Sequence, residues 1–244
     1  MADFTLSVSV RLGLEGVCAD ELRRQGLGDV RAENGRVVCD ASPEAIVRAN
    51  LNLRTGERVL LRLGRFQCTD FDTLYDTVRA LPWAEVIDRE GAFPVQGRCR
   101  GSRLSSEQRC GAIIRAAVGD ALGAKYGLER MPETGAVYHI QFLFLDDVCE
   151  VALDASGPSL HKRGYRAMSG LAPLRETLAA GLVLLSRYRG KGPLRDPFCG
   201  SGTIPIEAAL IAKNRAPGLD RSFAAQRWAW LDSRLWLEEG DRAM

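Results

Sequence analysis

Apolar and polar residues alternate over residues 4–11, the period-two pattern typical of a half-buried strand. A helical pattern follows over 14–24, and residues 30–39 predict two short strands around an Asn-Gly pair, which is a strong hairpin signal. Ser42 and Pro43 then open another helix, with the serine as N-cap and the proline in the first turn. This β-α-β-β-α series, about 55 residues long, matches most of a ferredoxin-like fold.

A second series of elements has longer periodic segments. In chain order the pattern predicts a strand over 57–66, a helix over 70–81, a strand over 93–98, a long helix capped by Ser105 or Ser106, and strands over 137–145 and 148–155. Asp146 and Asp147 join the last two strands in a predicted tight hairpin. The third section predicts a helix over 173–188 with an apolar stripe of Leu174, Leu178, Leu182 and Leu185.

A short strand ending at Leu194-Arg195-Asp196, a glycine-bearing loop and a helix over 203–213 complete the pattern. A strand, a glycine-rich turn and a helix in this order are typical of the start of a doubly wound α/β domain. Such a loop lets a ligand approach the backbone, and the helix N-terminus offers unpaired N–H groups. A bare Gly-x-Gly is weak support by itself, since many α/β turns need glycine for the bend alone.

Composition removes several classes of protein. Of the 244 residues, 46% are hydrophobic and 26% charged, which excludes a disordered or fibrous chain. The longest apolar run spans eight residues and the N-terminus lacks a signal-peptide pattern, so we expect a cytoplasmic protein without a membrane span. The seven cysteines are widely spread without a Cys-x-x-Cys pair, which predicts buried, reduced thiols and no metal site.

The octet Asp-Pro-Phe-Cys-Gly-Ser-Gly-Thr over 196–203 is far more specific than its glycines alone. It resembles motif I of class I S-adenosylmethionine-dependent methyltransferases, particularly those that act on amino groups of nucleobases. The resemblance implies that Asp196, Gly200 and Gly202 hold the methionine part of the cofactor. The whole set of cofactor-binding residues that it implies is Asp196, Pro197, Phe198, Gly200, Ser201, Gly202 and Thr203, with Pro173, Glu176 and Thr177 from the preceding segment.

Two of these residues have a second interpretation. Glu176 is equally well explained as an exposed acid in the first turn of a helix, and Thr203 as the cap of the helix after the loop. Cys199 is interpreted as a small filler, since amino-group methylation needs no cysteine nucleophile. The resemblance therefore predicts cofactor contacts but no catalytic residue within the chain.

The similarity extends along the chain through Leu-His-Lys-Arg-Gly-Tyr-Arg at 160–166, Ala-Pro-Leu-Arg-Glu-Thr-Leu-Ala at 172–179 and Asn-Arg-Ala-Pro-Gly at 214–218. These segments resemble the THUMP-domain RNA methyltransferases, the group of the bacterial 23S rRNA guanine-N2 enzymes and their Firmicutes relatives. The resemblance implies an α+β N-terminal half, with a ferredoxin-like subdomain over 1–55 and a THUMP RNA-binding domain over 56–158. The opening portion of an α/β Rossmann-like methyltransferase domain would follow over 159–244.

The chain departs from that family after motif I. Neither a second strand ending in an acid nor the Asn/Asp-Pro-Pro-aromatic loop that grips the target base follows, and the sequence holds no Pro-Pro pair. We therefore expect a C-terminally incomplete methyltransferase that is inactive alone. Its last 80 or so residues should pack poorly, with Trp228, Trp230 and Trp236 exposing apolar surface.

Charge suggests where RNA would bind. The net charge is only +2, but residues 160–195 hold eight basic residues and one acid. The predicted RNA-binding residues are Lys162, Arg163 and Arg166, with Arg98, Arg100, Arg103 and Arg109 as a second patch. Two alternatives to an RNA methyltransferase are a non-catalytic RNA-binding module, or half of a split enzyme, and a DNA amino-methyltransferase.

Overall fold

The computed structural model describes residues 4–165 and 174–243, which divide into two compact units. Of the described residues, unit 1 contains 4–5, 60–154 and 224–231, and unit 2 contains 6–59, 155–165, 174–223 and 232–243. Among the described residues, no helix has the length and apolar character needed to cross a membrane. All seven cysteines are free, and the pKa values of six thiols are raised chiefly by burial.

Unit 2 begins with the predicted ferredoxin-like series. Its elements are β1 (Thr5–Val10), α1 (Glu15–Arg24), β2 (Arg31–Glu33), β3 (Arg36–Asp40), α2 (Pro43–Asn52) and the start of β4 (Gly56–Gln67). The strand order is β2-β3-β1-β4, and the β-α-β-β-α-β sequence of elements confirms the ferredoxin-like prediction. Ser42 caps α2 as predicted, since its hydroxyl accepts a hydrogen bond from the Ala45 N–H at 3.1 Å.

Three further helices complete unit 2: α5 (Glu176–Leu185), α6 (Thr203–Ala212) and α7 (Ser233–Arg242). The leucine stripe predicted for α5 is wrong, because Leu182 and Leu185 are exposed. The helix instead buries small residues at 179–181 together with Val183 and Leu184. Gly181 shows the reason. A Cβ at this position would lie only 2.8 Å from the Leu14 side chain, so the helix packs here through close backbone contact.

The short strand predicted to end at Asp196 is also wrong. Residues 193–196 lie outside any strand, and no strand follows residue 154 in the described part of the sequence. A strand of a parallel sheet exists only by pairing with a neighbour. The periodic sequence before the glycine-rich loop has no such neighbour among the described residues.

Unit 1 is the second predicted series, built on the strand order β4-β7-β6-β5. Its elements are the rest of β4, α3 (Phe71–Arg79), β5 (Val95–Arg100), α4 (Glu107–Tyr126), β6 (Ile140–Leu145) and β7 (Val148–Asp154). Asp146 and Asp147 both have positive φ in the β6–β7 turn, which confirms the predicted tight hairpin. Ser106, one of the two predicted caps, begins α4.

The expected exposure of the C-terminal tryptophans is wrong as well. Trp228 and Trp236 are buried, and Trp230 is half-buried. In unit 1, Trp228 stacks on the buried ring of Tyr138 with 5.7 Å between ring centroids. In unit 2, Trp236 stacks on Phe223 at 5.1 Å. Trp228 and Trp236 therefore each stack on an aromatic ring more than ten positions away, which sequence periodicity cannot reveal.

Candidate functional site

The glycine-rich loop before α6 is open to solvent. Asp196 is half-buried, and one of its carboxylate oxygens accepts a hydrogen bond from the Phe198 N–H at 3.1 Å. The Phe198 side chain is 94% exposed, and Pro197, Gly200 and Ser201 are exposed as well. Gly200 has φ of +52°, and no atom lies within 4 Å of a Cβ built there. The loop therefore presents free backbone surface to a ligand.

The N-terminus of α6 lies directly behind this loop. Its N-cap is Gly202, with φ of +75° and no side-chain capping hydrogen bond. Thr203 is the first helical residue and is buried, with its hydroxyl 3.3 Å from that of Ser201. Thr203 is therefore not the cap that one interpretation predicted. A helix start without a side-chain cap leaves N–H groups to be satisfied by water or by a ligand.

A buried polar network fixes α6 from its inner side. Glu207, one turn after Thr203, has no exposed surface, and its Oε1 lies 3.5 Å from Nε of Arg163. Tyr165 donates its hydroxyl hydrogen to the same Oε1 at 3.1 Å. Burial raises the pKa of Glu207, and the charge of Arg163 opposes this. The second oxygen, Oε2, has no hydrogen-bond partner among the described residues.

The same network corrects the predicted role of Arg163. Only 3% of this residue is exposed, and its guanidinium donates to the carbonyls of Leu53, Arg54 and Leu160 as well as facing Glu207. A guanidinium with four protein partners inside the unit cannot contact an RNA backbone. Arg163 is therefore a structural residue, and its prediction as an RNA contact is wrong.

Residues of the segment after β7 and of the first turn of α5 surround a second carboxylate, that of Glu57. Thr177 donates its hydroxyl hydrogen to Glu57 Oε1 at 2.5 Å, and Ser159 donates to Oε2 at 3.2 Å. Glu176, the first residue of α5, is 6% exposed, so its interpretation as an exposed acid is wrong. Pro173 lies outside the described residues. Of the predicted cofactor residues, Thr177 is thus buried against Glu57, and Glu176 is buried at the start of the same helix.

The environment of Glu57 predicts how the stability of the protein depends on pH in the acid range. Burial by itself raises the pKa of Glu57, but hydrogen bonds from Thr177 and Ser159 and the charges of His161 and Arg175 outweigh it, so the pKa is lowered from 4.5. A lowered folded-state pKa stabilises the protein above the ordinary value, and this stability is lost as pH falls through the folded value. We expect Glu57→Gln to flatten the loss of stability below pH 4.5, measured by urea unfolding from pH 6 to 3.

The control is Glu238→Gln, because Glu238 is an exposed acid on α7 in the same unit. This substitution should leave the acid dependence of the wild-type chain unchanged. An unchanged slope in Glu57→Gln would contradict the prediction.

The second predicted RNA patch lies on unit 1. Its four arginines, Arg98, Arg100, Arg103 and Arg109, are all exposed. Three have protein partners: Arg98 lies 3.3 Å from Glu107, Arg103 lies 3.9 Å from Asp147, and Arg109 lies over the ring of Phe71. These contacts leave much of each guanidinium in solvent, so the patch remains available to a polyanion.

Of the first predicted patch, Lys162 is exposed and Arg166 lies outside the described residues. The structure adds two arginines that the sequence analysis missed, Arg11 at 3.6 Å and Arg175 at 3.3 Å from the Glu57 carboxylate. No sequence signal marks Arg11, which follows a strand 46 residues before Glu57. Arg175 belongs to the basic stretch of 160–195, but nothing in its spacing predicts a contact with Glu57.

Three family models match this chain. The RlmL ferredoxin-like domain matches residues 5–60, the THUMP domain matches residues 68–154, and the RMKL-like methyltransferase domain matches residues 163–242. These matches confirm the predicted fold class: ferredoxin-like and THUMP domains followed by methyltransferase sequence.

Two named relatives align along almost the whole chain. YpsC of Bacillus subtilis (strain 168), provisionally named an RNA methyltransferase, is 41% identical over 97% of this chain and 62% of its own length. The ribosomal RNA large subunit methyltransferase K/L of Pseudomonas entomophila (strain L48) is 35% identical over 98% of this chain and 34% of its own length. The chain thus spans less than two thirds of each relative.

Two solved structures are similar throughout. One is a predicted N6-adenine-specific DNA methylase from Listeria monocytogenes str. 4b F2365, with a TM-score of 0.96, 41% identity and coverage of 100% of this chain and 64% of that one. The other is SMU.472, provisionally named a methyltransferase and complexed with SAH. It has a TM-score of 0.94 and 36% identity, and the match covers 100% of this chain and 65% of that one.

Proposed function

Since the chain combines an RlmL ferredoxin-like domain, a THUMP domain and an RMKL-like methyltransferase domain, we propose that it serves S-adenosylmethionine-dependent methylation of RNA. The observation that carries this proposal is the open loop of Asp196–Gly202 in front of the α6 N-terminus. The complex of SMU.472 with SAH supports the cofactor, and the relative named ribosomal RNA large subunit methyltransferase K/L supports rRNA as the substrate.

The residues of the loop fit the cofactor. Gly200 and Gly202 give close access to the backbone, and the half-buried Asp196 provides a carboxylate for the amino group of the methionine part. The contacts that we propose also include Pro197, Phe198, Ser201 and Thr203, with Pro173, Glu176 and Thr177 from the preceding segment. When bound, S-adenosylmethionine supplies the methyl group as an electrophile on its sulfonium.

The finer parts of the proposal concern domain limits, substrate and location. We place the domain boundaries after residues 55 and 158, close to the limits of the three matched models. The methyl acceptor that we propose is guanine N2 of 23S rRNA, and the cellular location is the cytoplasm. The 244 residues hold no Pro-Pro pair for a base-gripping loop, so we expect them to transfer no methyl group by themselves.

A DNA amino-methyltransferase is the second candidate function, because the similar Listeria protein is named a DNA methylase. The THUMP match favours RNA. Competition binding separates the two: we expect the chain to bind a 23S rRNA fragment more tightly than duplex DNA of the same length at equal salt. A preference for duplex DNA would overturn the RNA proposal.

The cofactor proposal has its own test. We expect Gly202→Val to abolish binding of S-adenosylhomocysteine in isothermal titration calorimetry, because valine is strained at φ of +75° and places its side chain at the helix start. Gly240→Val on α7, far along the chain from the loop and with no atom within 4 Å of a Cβ there, is the control. Equal affinity in the wild-type chain and Gly202→Val would contradict the assigned site.

A further inference from the structure

Three basic side chains converge on one carboxylate in unit 2. Arg11 follows β1, His161 lies in the segment after β7, and Arg175 is the N-cap residue of α5. Their nitrogens lie 3.6 Å, 3.6 Å and 3.3 Å from the Glu57 carboxylate oxygens. The fold therefore brings together Arg11 and Arg175, which are 164 positions apart in the sequence.

The Glu57 carboxylate pairs with both arginines while their side chains remain partly exposed to solvent. Its oxygens also accept the hydroxyl hydrogens of Thr177 and Ser159, so the carboxylate is shared among several donors. The Glu57 side chain is 14% exposed, while those of Arg11 and Arg175 are 42% and 49% exposed. A guanidinium has five N–H donors, and the contacts to Glu57 run through Nε of Arg11 and Nη1 of Arg175. Both arginine side chains therefore combine an ion pair with a large solvent-exposed fraction.

We propose that Arg11 and Arg175 form a phosphate-binding site for the RNA backbone, with Glu57 as the residue that orients them. This inference rests on the proposed RNA substrate. The planar guanidinium fork matches the oxygens of a phosphate, and a pair held by a common carboxylate is already ordered before RNA binds. Lys162, exposed and adjacent to His161 in the chain, adds charge to the same segment.

Arg11 and Arg175 replace Arg163 as the proposed contacts to the RNA backbone in this unit. The Arg163 guanidinium is held by internal partners, whereas the side chains of Arg11 and Arg175 are 42% and 49% exposed. Phosphate contacts carry no sequence information but fix the register of a nucleic acid on its protein. Arg11 and Arg175 would therefore position the RNA strand without selecting the target base.

The test is the affinity of the 244-residue chain for a fluorescein-labelled 20-nucleotide stem-loop RNA, measured by fluorescence anisotropy from 50 to 200 mM KCl. The variants are Arg11→Gln/Arg175→Gln and the charge-retaining Arg11→Lys/Arg175→Lys. The matched control is Arg23→Gln/Arg234→Gln, which removes two arginines of the same unit that are 54% and 81% exposed and paired with Asp20 and Asp232.

We expect the glutamine pair to weaken binding at least tenfold at 50 mM KCl and to reduce the slope of log K against log salt by about 1–2. The lysine pair should keep the slope and lose affinity only a few-fold, and the control should match the wild-type chain. A retained slope in the lysine pair shows that the glutamine pair lost charge rather than fold.

Two results would overturn the inference and are distinguishable from each other. RNA binding by the wild-type chain with an unchanged affinity and slope in the glutamine pair would remove the Arg11–Arg175 site and leave the proposed function intact. No RNA binding by the wild-type chain at 50 mM KCl, with thermal unfolding showing a folded protein, would overturn the RNA proposal and this site together.

Discussion

Replacing Glu207 with alanine is expected to lower the free energy of unfolding of unit 2 by about 3–5 kcal/mol, the usual cost of breaking a buried ion pair by removing one partner. Glu207 is completely buried, and its carboxylate faces Arg163, which is also buried. The charge of Glu207 also acts on Arg54. Burial lowers the pKa of Arg54, and the charges of Glu21 and Glu207 oppose part of this decrease. Alanine would leave both guanidiniums without this counter-charge.

The effect should concentrate on the helix that carries the glycine-rich loop. Only Thr203, Glu207 and Ala208 are buried on α6, so the polar contact of Glu207 is a large part of what holds the helix. Hydrogen exchange measured by mass spectrometry on peptides covering 199–212 therefore reports the loss directly. We expect exchange there to accelerate at least tenfold in Glu207→Ala.

Two further variants make the Glu207 experiment decisive. The exposed Glu238 on α7 provides the control, since Glu238→Ala should change stability by no more than about 0.5 kcal/mol. The double variant Arg163→Met/Glu207→Leu replaces the pair with apolar side chains of similar size and should regain most of the lost stability. A loss below about 1 kcal/mol in Glu207→Ala would show that the pair does not anchor α6.

Local patterns were sufficient for much of the fold. The Ser42 and Ser106 caps, the Asp146-Asp147 hairpin and the alternation of Tyr138 to Phe144 depend on neighbours a few residues away. Such neighbours are readable from spacing. The glycine-rich loop was equally readable as a turn, because Gly200 and Gly202 take the positive φ that other residues rarely adopt.

The failures share a physical cause, which is dependence on distant partners. The sequence pattern predicts a solvent-exposed cation at Arg163, but the folded chain buries it against the carbonyls of Leu53 and Arg54. The leucine spacing in α5 predicts a buried stripe, but the helix packs against Leu14 through Gly181 and leaves Leu182 and Leu185 exposed. Arg11 had no signal at all, since only folding brings it to Glu57. Contacts of this kind become visible only in three dimensions.

Trp228→Ala is expected to cost unit 1 about 3–5 kcal/mol, the usual range for removing a buried tryptophan. Trp228 is 1% exposed and stacks between Tyr138 and Trp230, with ring centroids 5.7 Å from each. The segment is held further by Trp230, whose indole N–H donates to the Val86 carbonyl at 3.0 Å. Residues 224–231 thus form part of the unit 1 core although they come 70 positions after β7.

Two measurements report this loss: urea unfolding gives the free energy, and hydrogen exchange of peptides from β6 gives the local effect. The control from the same segment is Arg227→Ala, because Arg227 is exposed. Trp228→Phe should cost much less than Trp228→Ala, since phenylalanine keeps the stacking and removes an indole N–H that has no hydrogen-bond partner among the described residues. If the tryptophans were exposed, as the sequence pattern predicts, all three variants would lie within about 0.5 kcal/mol of wild type. A large loss in Trp228→Ala alone would instead establish that this segment stabilises the THUMP-containing unit.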